Sequence, residues 1–459
     1  MRNALKSRQI PLLFAGLSVV FYSVFAYDLE RWDFVKLGLL YAALFFLTYK
    51  LIQVGKGNYW WLIGFGVAFR LAFIGSLPNL SQDFYRFLWD GRLLAQGFSP
   101  YLFTPESYMQ LPSSYDVVIP QAAELYKGMG SLNASHYSNY PPLNQLFFTI
   151  AAAISGSSIL GSVITLRLLL IFADLGILFI GKKLLESLEL DPYVIFWYFL
   201  NPFIIIELTG NLHFDGAMLL FLLLFLYLLR RGLWQWAAAA MAASISVKLI
   251  PLLFLPLLFH WFQAERSAFK GVTRLLFFYG IVLGVVLLSF LPFLSSEFIS
   301  HFSATIGLWF QNFEFNASVY YIIRWIGFQT VGWNIIGTAG KILPLIVLIA
   351  VLLLVFLRKN TSIPQLCTGM LWAISVYLML ATTVHPWYIA TPLLLCLFTP
   401  YRFPVVWSAF IIVSYTAYGA DGFREKLGWV TLEYVVVIGY AVWEIILQHK
   451  KRKLPSVSH

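Results

Sequence analysis

Asp83 is an acidic side chain in a polar stretch of the sequence, and it could act as a base. It lies within residues 82–97, which read QDFYRFLWDGRLLAQG. A carboxylate can accept the proton of a hydroxyl group that attacks a neighbouring atom. Asp also favours the position just before a helix, where it caps backbone amides, so both interpretations stay open. Arg86 and Asp90 have the four-residue spacing of a helical ion pair. We prefer that interpretation for Asp90 and keep Arg86 as a candidate ligand-binding residue.

His213 and Asp215 belong to the densest polar cluster among the apolar segments, together with Asn201, Glu207 and Asn211. A zinc site usually needs His residues three to five positions apart and further ligands, so this spacing does not indicate a metal site. Hydroxyl groups, such as those of a sugar, suit these side chains better. The alternative is that Asp215 caps a helix and that His213 is hydrogen-bonded within the fold.

Three further candidates are Lys248, His385 and Tyr388. Lys248 lies in the apolar stretch SISVKLIPLLFLP, where an ammonium group needs an anion such as a phosphate. Its alternative is to extend to the membrane interface. His385 and Tyr388 open and close the motif HPWY, which suits a sugar ring and a phosphate oxygen. An interfacial aromatic belt is the competing interpretation.

Tyr140 is another candidate for ligand binding, because it precedes two prolines at the end of a polar stretch. The prolines fix the start of the next helix, and helix initiation alone could explain this motif. Asn316, Tyr320 and Arg324 form a weaker candidate strip at helical spacing. We also expect Arg167 and Asp174 to form a structural ion pair inside the membrane.

The elements that hold these residues must be membrane helices. The chain has 459 residues, of which 60% are hydrophobic and 11% charged, whereas soluble domains carry about 25% charged residues. Lipid must therefore solvate much of the surface. The net charge of +10 is concentrated at the ends of apolar runs. This positive-inside pattern places both termini in the cytoplasm and argues against nucleic-acid binding. The two cysteines, Cys367 and Cys396, fall inside apolar runs and are interpreted as small buried side chains.

Apolar runs predict an all-α, multi-pass membrane protein with roughly twelve to fifteen spanning or half-spanning helices, each crossing in about 20 residues. The long runs lie near residues 11–27, 34–53, 60–78, 163–181, 193–209, 214–230, 234–258, 272–294, 338–357, 364–383, 403–419 and 428–447, and shorter ones near 143–158, 316–331 and 386–399. We predict a single integral membrane domain over residues 1–459.

Residues 79–142 contain no spanning run, and a polar loop of this length is usually functional. Three predicted crossings precede the loop, so a cytoplasmic N-terminus places it on the outer side of the membrane. The basic residues at 182–183 and 230–231 can then be cytoplasmic only if the run at 143–158 does not fully cross. Within the loop, residues 82–97 predict an amphipathic helix along the membrane surface, with Asp83, Arg86 and Asp90 on its polar edge.

The order of these motifs resembles the GT-C superfamily of membrane glycosyltransferases. After the acidic loop residue come GFSPY (97–101), YPPL (140–143), Asn-Pro with a following HFD (213–215), KLIP (248–251) and HPWY (385–388). The set is similar to bacterial polyprenyl-phosphate-mannose-dependent mannosyltransferases and to the catalytic subunit of GPI mannosyltransferase I. It extends from about residue 60 to about residue 400.

The resemblance implies an enzyme that inverts the anomeric carbon of a hexose, with mannose implied by the resemblance alone. The donor would be a polyprenyl-phosphate sugar and the acceptor a glycan or glycolipid. Asp83 would be the catalytic base, in an outer catalytic loop at residues 79–142. Arg86, Tyr140, His213, Asp215, Lys248, His385 and Tyr388 would bind substrate. No cofactor is expected, because the lipid-phosphate sugar is itself a substrate and no Gly-rich nucleotide loop is present. A divalent metal ion is left open. The expected location is the cell membrane, with the bacterial inner membrane preferred over the endoplasmic reticulum.

Two alternatives keep the membrane architecture but change the function. A transporter or flippase for lipid-linked glycans would show matching repeats with broken helices, and no similarity between the two halves is evident. A non-catalytic polymerase subunit for surface glycans would not need Asp83. The sequence names neither the sugar, the acceptor nor the linkage.

Overall fold

The structure, a computed structural model, describes residues 2–110, 117–264 and 267–453. Of the predicted outer loop, residues 111–116 lie outside the described residues. The chain begins with α1 (Arg2–Tyr27), α2 (Phe34–Val54) and α3 (Tyr59–Leu71). α3 has 13 residues and is about 20 Å long, so it cannot span a hydrocarbon core of about 30 Å alone. The prediction of a spanning helix over 60–78 is therefore wrong in its length.

The predicted loop folds into α4 (Asp83–Ala95), α5 (Pro105–Met109) and α6 (Ala122–Ala134), and is followed by α7 (Pro142–Ser155) and α8 (Ile159–Ser187). α4 packs closely on α7, because Gly91 has no side chain where the two helices meet. A Cβ atom there would lie 2.3 Å from the carbonyl oxygen of Phe148. The ring of Phe148 also stacks on that of Phe87, with 4.5 Å between ring centroids.

Two of the three residues on the predicted polar edge of α4 do not face water. Arg86 and Asp90 are buried and form an ion pair of 2.8 Å. The Arg86 guanidinium donates to the carbonyl oxygens of Asn133 and His136, at 2.9 and 2.7 Å. The polar edge is covered because the end of α6 and the link that follows it fold back over α4. The surface-helix interpretation of residues 82–97 is therefore wrong for this edge, whereas the preferred Arg86–Asp90 pairing is confirmed.

α7 has 14 residues, about 21 Å at the helical rise, and is too short to cross alone. This agrees with the expectation that the run near 143–158 does not fully cross. α8 has 29 residues and is followed by a broken span. A 3-10 turn (Pro192–Ile195) leads into α9 (Phe196–Phe199), and after Asn201-Pro202 a π-helical segment (Ile204–Gly210) continues at a bend of 59°. Pro202 has no amide hydrogen to continue the helical ladder.

The next helices surround the same region. They are α10 (Asp215–Arg230), α11 (Trp234–Val247), a 3-10 segment (Ile250–Leu258) and α12 (Phe259–Gln263). α10 packs against α8 and α11. α11 ends at Val247 because Lys248 has an extended backbone, with φ −148° and ψ 144°. The continuous apolar run predicted at 234–258 is therefore two elements with a lysine at their junction.

The C-terminal half is helical apart from one small hairpin. Its elements are α13 (Ala268–Phe290), a 3-10 turn (Leu291–Phe293), α14 (Ser296–Gln311), α15 (Val319–Thr330), α16 (Ile336–Leu357), α17 (Ile363–Leu380), a 3-10 turn (Pro386–Ile389), α18 (Ala390–Cys396), α19 (Phe403–Phe410), a 3-10 segment (Ile411–Ala417), β1 (Tyr418–Gly419), β2 (Gly422–Phe423) and α20 (Leu427–Lys453). β1 and β2 are antiparallel, with Tyr418 opposite Phe423.

Seven helices of the described chain are long and apolar enough to cross a membrane, or eight if the bent segment counts as one span. The seven correspond to α1, α2, α8, α13, α16, α17 and α20. The predicted fold class, an all-α multi-pass membrane protein, is confirmed. The predicted twelve to fifteen segments, roughly 20 residues each, include several that are too short to cross alone, such as α7 and α18.

Candidate active site

One cavity of about 220 Å³ collects most of the candidate residues. Its volume equals several water molecules of about 30 Å³ each and suits a group the size of a monosaccharide. Six of the predicted site residues line it: Asp83, Tyr140, His213, Lys248, His385 and Tyr388. The other lining residues are largely apolar or aromatic, including Phe87, Phe214, Tyr377 and Trp387. Polar groups thus converge on an otherwise apolar space, as in many binding sites.

Asp83 is the first residue of α4, and its carboxylate does not cap that helix. The position before the helix belongs to Gln82, whose side chain makes no capping bond. The Asp83 carboxylate instead accepts a hydrogen bond of 3.2 Å from the Asn133 side-chain amide. Burial raises the pKa of the Asp83 carboxyl, while the Asn133 hydrogen bond and the charges of Arg31 and Lys248 act in the opposite direction. The capping interpretation therefore does not explain this side chain.

The links that precede Asp83 and His213 are fastened to each other. The Asn211 side chain accepts a hydrogen bond of 3.0 Å from the backbone amide of Leu80. Arg167 of α8 is fully buried and donates to four backbone carbonyls. These carbonyls belong to Ile74, Ser76, Thr209 and Gly210, at 3.1, 2.8, 3.0 and 2.9 Å.

Arg167 does not pair with Asp174, so that prediction is wrong. The two residues are seven positions apart, which is about 10 Å along a helix axis. Asp174 is instead bound by Arg70 of α3 at 2.8 Å, and both side chains are buried. Arg167 therefore bonds to the backbone before α4 and before His213 rather than to Asp174.

Lys248 lies at the junction after α11 and contacts the carboxylate of Asp215 at 2.5 Å. Asp215 is fully buried at the start of α10 and does not line the cavity, whereas Lys248 does. Asp215 was predicted to bind substrate, but in the structure its carboxylate is bound by Lys248 instead. Asp215 fixes the position and charge of Lys248, whose ammonium also lies 5.3 Å from the ring centroid of Tyr388.

His385 and His213 both stack on the ring of Trp387. The centroid of Trp387 is 4.5 Å from that of His385 and 3.5 Å from that of His213, with interplanar angles of 5° and 17°. His385 itself has an extended backbone, because Pro386 disfavours a helical conformation of the residue before it. The residues just before it are held by backbone hydrogen bonds from Phe315 to Thr382 and from Val384 to Phe315, of 3.1 and 2.8 Å.

Tyr140 lines the cavity, and its carbonyl oxygen accepts a 2.7 Å hydrogen bond from the hydroxyl of Tyr101. The GFSPY and YPPL motifs are thereby joined. Arg86 is not brought to the cavity, because it is committed to Asp90 and two carbonyls behind α4. The weaker candidate strip of Asn316, Tyr320 and Arg324 does not line the cavity either. Tyr320 and Arg324 bond to Glu314, and the Asn316 side chain bonds to Glu433.

Sequence reasoning missed two residues of this region. Arg31, in the link between α1 and α2, has its guanidinium 3.3 Å from the ring centroid of Tyr418, and its charge acts on Asp83, His213 and His385. Asn144 is 1% exposed and lines the cavity. For Asn144 a signal existed, since it directly follows the YPPL motif. Arg31 precedes Trp32 in a polar link between two apolar runs, where a basic residue does not indicate a functional site.

The geometry provides a carboxylate, a fixed ammonium group and two imidazoles around one apolar cavity. Such a set can accept a proton from a hydroxyl group and hold an anionic leaving group. In residues 2–110, 117–264 and 267–453, no group of three His, Cys, Asp or Glu side chains is placed to hold a metal ion.

Comparisons with known proteins assign the chain that forms this cavity to a protein family. Residues 32–264 match the family described as "Alpha-(1->6)-mannopyranosyltransferase, N-terminal domain". The Alpha-(1->6)-mannopyranosyltransferase A of Mycobacterium tuberculosis (strain ATCC 25618 / H37Rv) is 22% identical over 338 residues, which cover 69% of this chain and 61% of that protein. The chain thus matches less than two thirds of the length of this relative. No solved structure matches the chain. Because the family match extends over more than half of the chain and includes Asp83, Tyr140, His213 and Lys248, the chain belongs to the alpha-(1->6)-mannopyranosyltransferase N-terminal-domain family.

Proposed function

We propose that this protein is a glycosyltransferase that moves a mannosyl group from a polyprenyl-phosphate donor to a glycan or glycolipid acceptor at the outer face of the membrane. The observation that carries the proposal is the shared cavity, in which the Asp83 carboxylate and the Lys248 ammonium face the same space. Family membership supports a mannosyltransferase. The name of the mycobacterial relative suggests an α-(1→6) linkage, which we extend to this chain as part of the proposal.

The proposed reaction is a single displacement. Asp83 accepts the proton of an acceptor hydroxyl while the hydroxyl oxygen forms a bond to the anomeric carbon. The bond between that carbon and the phosphate oxygen breaks, and polyprenyl phosphate leaves with the electron pair. The anomeric carbon is inverted. Lys248, held by Asp215, stabilises the negative charge on the leaving phosphate, and the two imidazoles with Trp387 provide an aromatic wall for the sugar.

The membrane setting explains how both substrates reach the cavity. A polyprenyl chain partitions into lipid, so the donor arrives laterally from the bilayer. The loop elements α4 to α6 carry Asp83 beside the spanning helices rather than inside one of them. A polar acceptor can therefore approach from the aqueous side while the donor stays in the membrane.

The test is an assay of the purified full-length chain in nanodiscs with polyprenyl-phosphate mannose, glucose and arabinose. We expect transfer with the mannose donor, and an Asp83→Asn variant should be slower by about a hundred- to ten-thousand-fold with an unchanged melting temperature. Asp421→Asn removes an exposed aspartate of the β-hairpin and should have normal activity.

Three results would reject this proposal. Unchanged transfer by Asp83→Asn would remove the assigned base. A second assay uses the chain reconstituted in proteoliposomes. Translocation of a lipid-linked glycan across that membrane, with no transfer to any acceptor, would favour the transporter or flippase. Absence of both activities, with restored polymer synthesis in a complemented cell, would favour a polymerase subunit.

A further inference from the structure

Asn144 is a buried amide that faces the cavity without a partner. It lies in the first turn of α7, directly after Pro142 and Leu143, and is 1% exposed. Neither its Oδ1 nor its Nδ2 atom has a hydrogen-bond partner among the described residues. Since both atoms are unpaired, an exchange of the amide oxygen and nitrogen would not change this finding.

An amide in that state is unusual, because most buried polar groups are hydrogen-bonded and burying an unpaired one is costly. The neighbouring Gln145 is equally buried, and its Nε2 donates to Asp90 and Ser138 at 3.0 and 2.8 Å, while its Oε1 has no partner among the described residues. Asn144 differs because neither atom of its amide is paired. The polar network of the outer loop therefore ends at Gln145, and Asn144 is directed to the cavity instead.

The chemistry of an amide decides which part of a substrate it fits. A phosphate or carboxylate offers only acceptors, so it would pair with Nδ2 and leave Oδ1 unpaired. A hydroxyl group both donates and accepts, and two adjacent hydroxyls satisfy both atoms of the amide at once. The aromatic rings of Phe87 and Phe214 line the same cavity and offer apolar faces to a sugar ring.

We propose that Asn144 binds hydroxyl groups of a sugar in this cavity through both atoms of its side-chain amide, and so contributes to sugar specificity. The inference rests on the proposed function for the identity of the substrates. The sugar is either the group being transferred or the terminal residue of the acceptor, and the experiment separates these two sources.

The experiment compares wild type with Asn144→Leu, which keeps the branched shape of the side chain and removes both polar atoms. Binding of polyprenyl-phosphate mannose and of sugar-free polyprenyl phosphate is measured on the full-length chain in nanodiscs, together with the KM for acceptor. If Asn144 binds the transferred sugar, the variant binds the mannose lipid about ten- to a hundred-fold more weakly and the sugar-free lipid normally. If it binds the acceptor, the acceptor KM rises by a similar factor and donor binding is unchanged.

Melting temperatures distinguish this role from a structural one. Asn144→Leu removes an unpaired buried amide and should melt at the wild-type temperature or above. The matched variant Gln145→Leu breaks bonds to Asp90 and Ser138 and should melt lower.

The inference is overturned if Asn144→Leu leaves donor binding and acceptor KM unchanged. It is also overturned if both lipids are weakened equally, because the amide would then serve the shared phosphate or chain. A wild-type chain that binds neither lipid would instead reject the proposed donor class, and the inference with it.

Discussion

At the scale of single residues, the protonation of Asp83 controls the proposed reaction. Only the ionised carboxylate can accept a proton, and burial raises the pKa of this group above its ordinary value of about 3.9. The Asn133 hydrogen bond and the charges of Arg31 and Lys248 partly oppose that rise. Lys248 is paired with the carboxylate of Asp215, whereas Arg31 has no carboxylate in contact among the described residues. Arg31 is therefore the cation whose removal should change the behaviour of Asp83 most cleanly.

We predict that kcat/KM falls as the pH is lowered, with a midpoint above the ordinary pKa of aspartate, because protonated Asp83 is inactive. Arg31→Gln should move that midpoint to higher pH, since the neutral carboxyl is favoured once the cation is gone. The measurement is a pH profile of transfer for both proteins. Lys36→Gln removes a cation of the same region that is already paired with Asp28 at 2.7 Å, and its profile should match wild type. A midpoint that is identical in Arg31→Gln and wild type would contradict the electrostatic role of Arg31.

The sequence predicted residue types better than residue partners. Asp83, Lys248 and His385 could be identified because charged or titratable side chains are rare beside apolar runs. The partner of Lys248 could not be identified in the same way, since Asp215 lies 33 positions away on another helix. Asn144 directly follows the YPPL motif, but its place in the sequence does not show that its amide is buried without a hydrogen-bond partner.

At the scale of elements, the cavity depends on links rather than on helix interiors. Asp83, His213, Lys248 and His385 each lie at the start of a helix or between two segments. Irregular backbone at membrane depth is tolerated where it lines a cavity or is buried in protein. Arg167 illustrates the second condition, because its four hydrogen bonds go to carbonyls of the link before α4 and of the end of the π-helical segment.

We predict that Arg167→Met lowers both stability and activity. The substitution keeps a long side chain but removes the donor to four backbone carbonyls, and each lost hydrogen bond costs about 1 kcal/mol or more. The links that carry Asp83 and His213 should then separate, with kcat reduced at least about ten-fold. Melting temperature and steady-state kinetics measure the two effects. The control is Lys182→Met on the same helix, a half-buried residue paired with Glu186 at 3.5 Å, which should change neither. Normal kcat in a folded Arg167→Met variant would show that the links hold their positions without it.

The wrong pairing of Arg167 with Asp174 shows why elements are harder to predict than residue types. Both residues lie on α8, and the sequence alone favours a partner on the same helix for a buried charge. The real partner of Asp174 is Arg70, from a helix that ends 88 residues before α8 begins. Only packing of α3 against the bent segment after α8 brings them together, as the bonds from Arg70 to Asp174 and to the carbonyl of Phe199 indicate.

At the scale of the whole molecule, hydropathy predicted the architecture but not the breaks within it. The fold class follows from composition alone, because so apolar a chain must be solvated by lipid. The runs at 193–209, 234–258 and 386–399 read as single segments, yet each is interrupted or changes helix type. A window average cannot detect such breaks, since Ile, Leu and Pro in these runs are as apolar in a 3-10 segment as in an α-helix.

The membrane orientation of the cavity is the last prediction, and it follows from α10. Asp215, which holds Lys248, begins this helix, and Arg230 ends it, so the cavity and the basic residues at 230–231 lie at opposite ends. Arg230 also bonds to the carbonyl of Ser187 at 2.9 Å, which places the end of α8 on the same side as the end of α10. The positive-inside rule assigns that side to the cytoplasm, and the cavity therefore faces outward.

Single cysteines can test this orientation, because the native Cys367 and Cys396 are both 0% exposed. We predict that Val118→Cys, at a position 73% exposed in the outer loop, reacts with a membrane-impermeant maleimide in spheroplasts. Arg231→Cys, at an exposed position, should react only after the membrane is disrupted, and the wild-type chain should stay unlabelled in both states. The reverse pattern would place Asp83 on the cytoplasmic side, where the donor would have to be supplied and used without crossing the membrane.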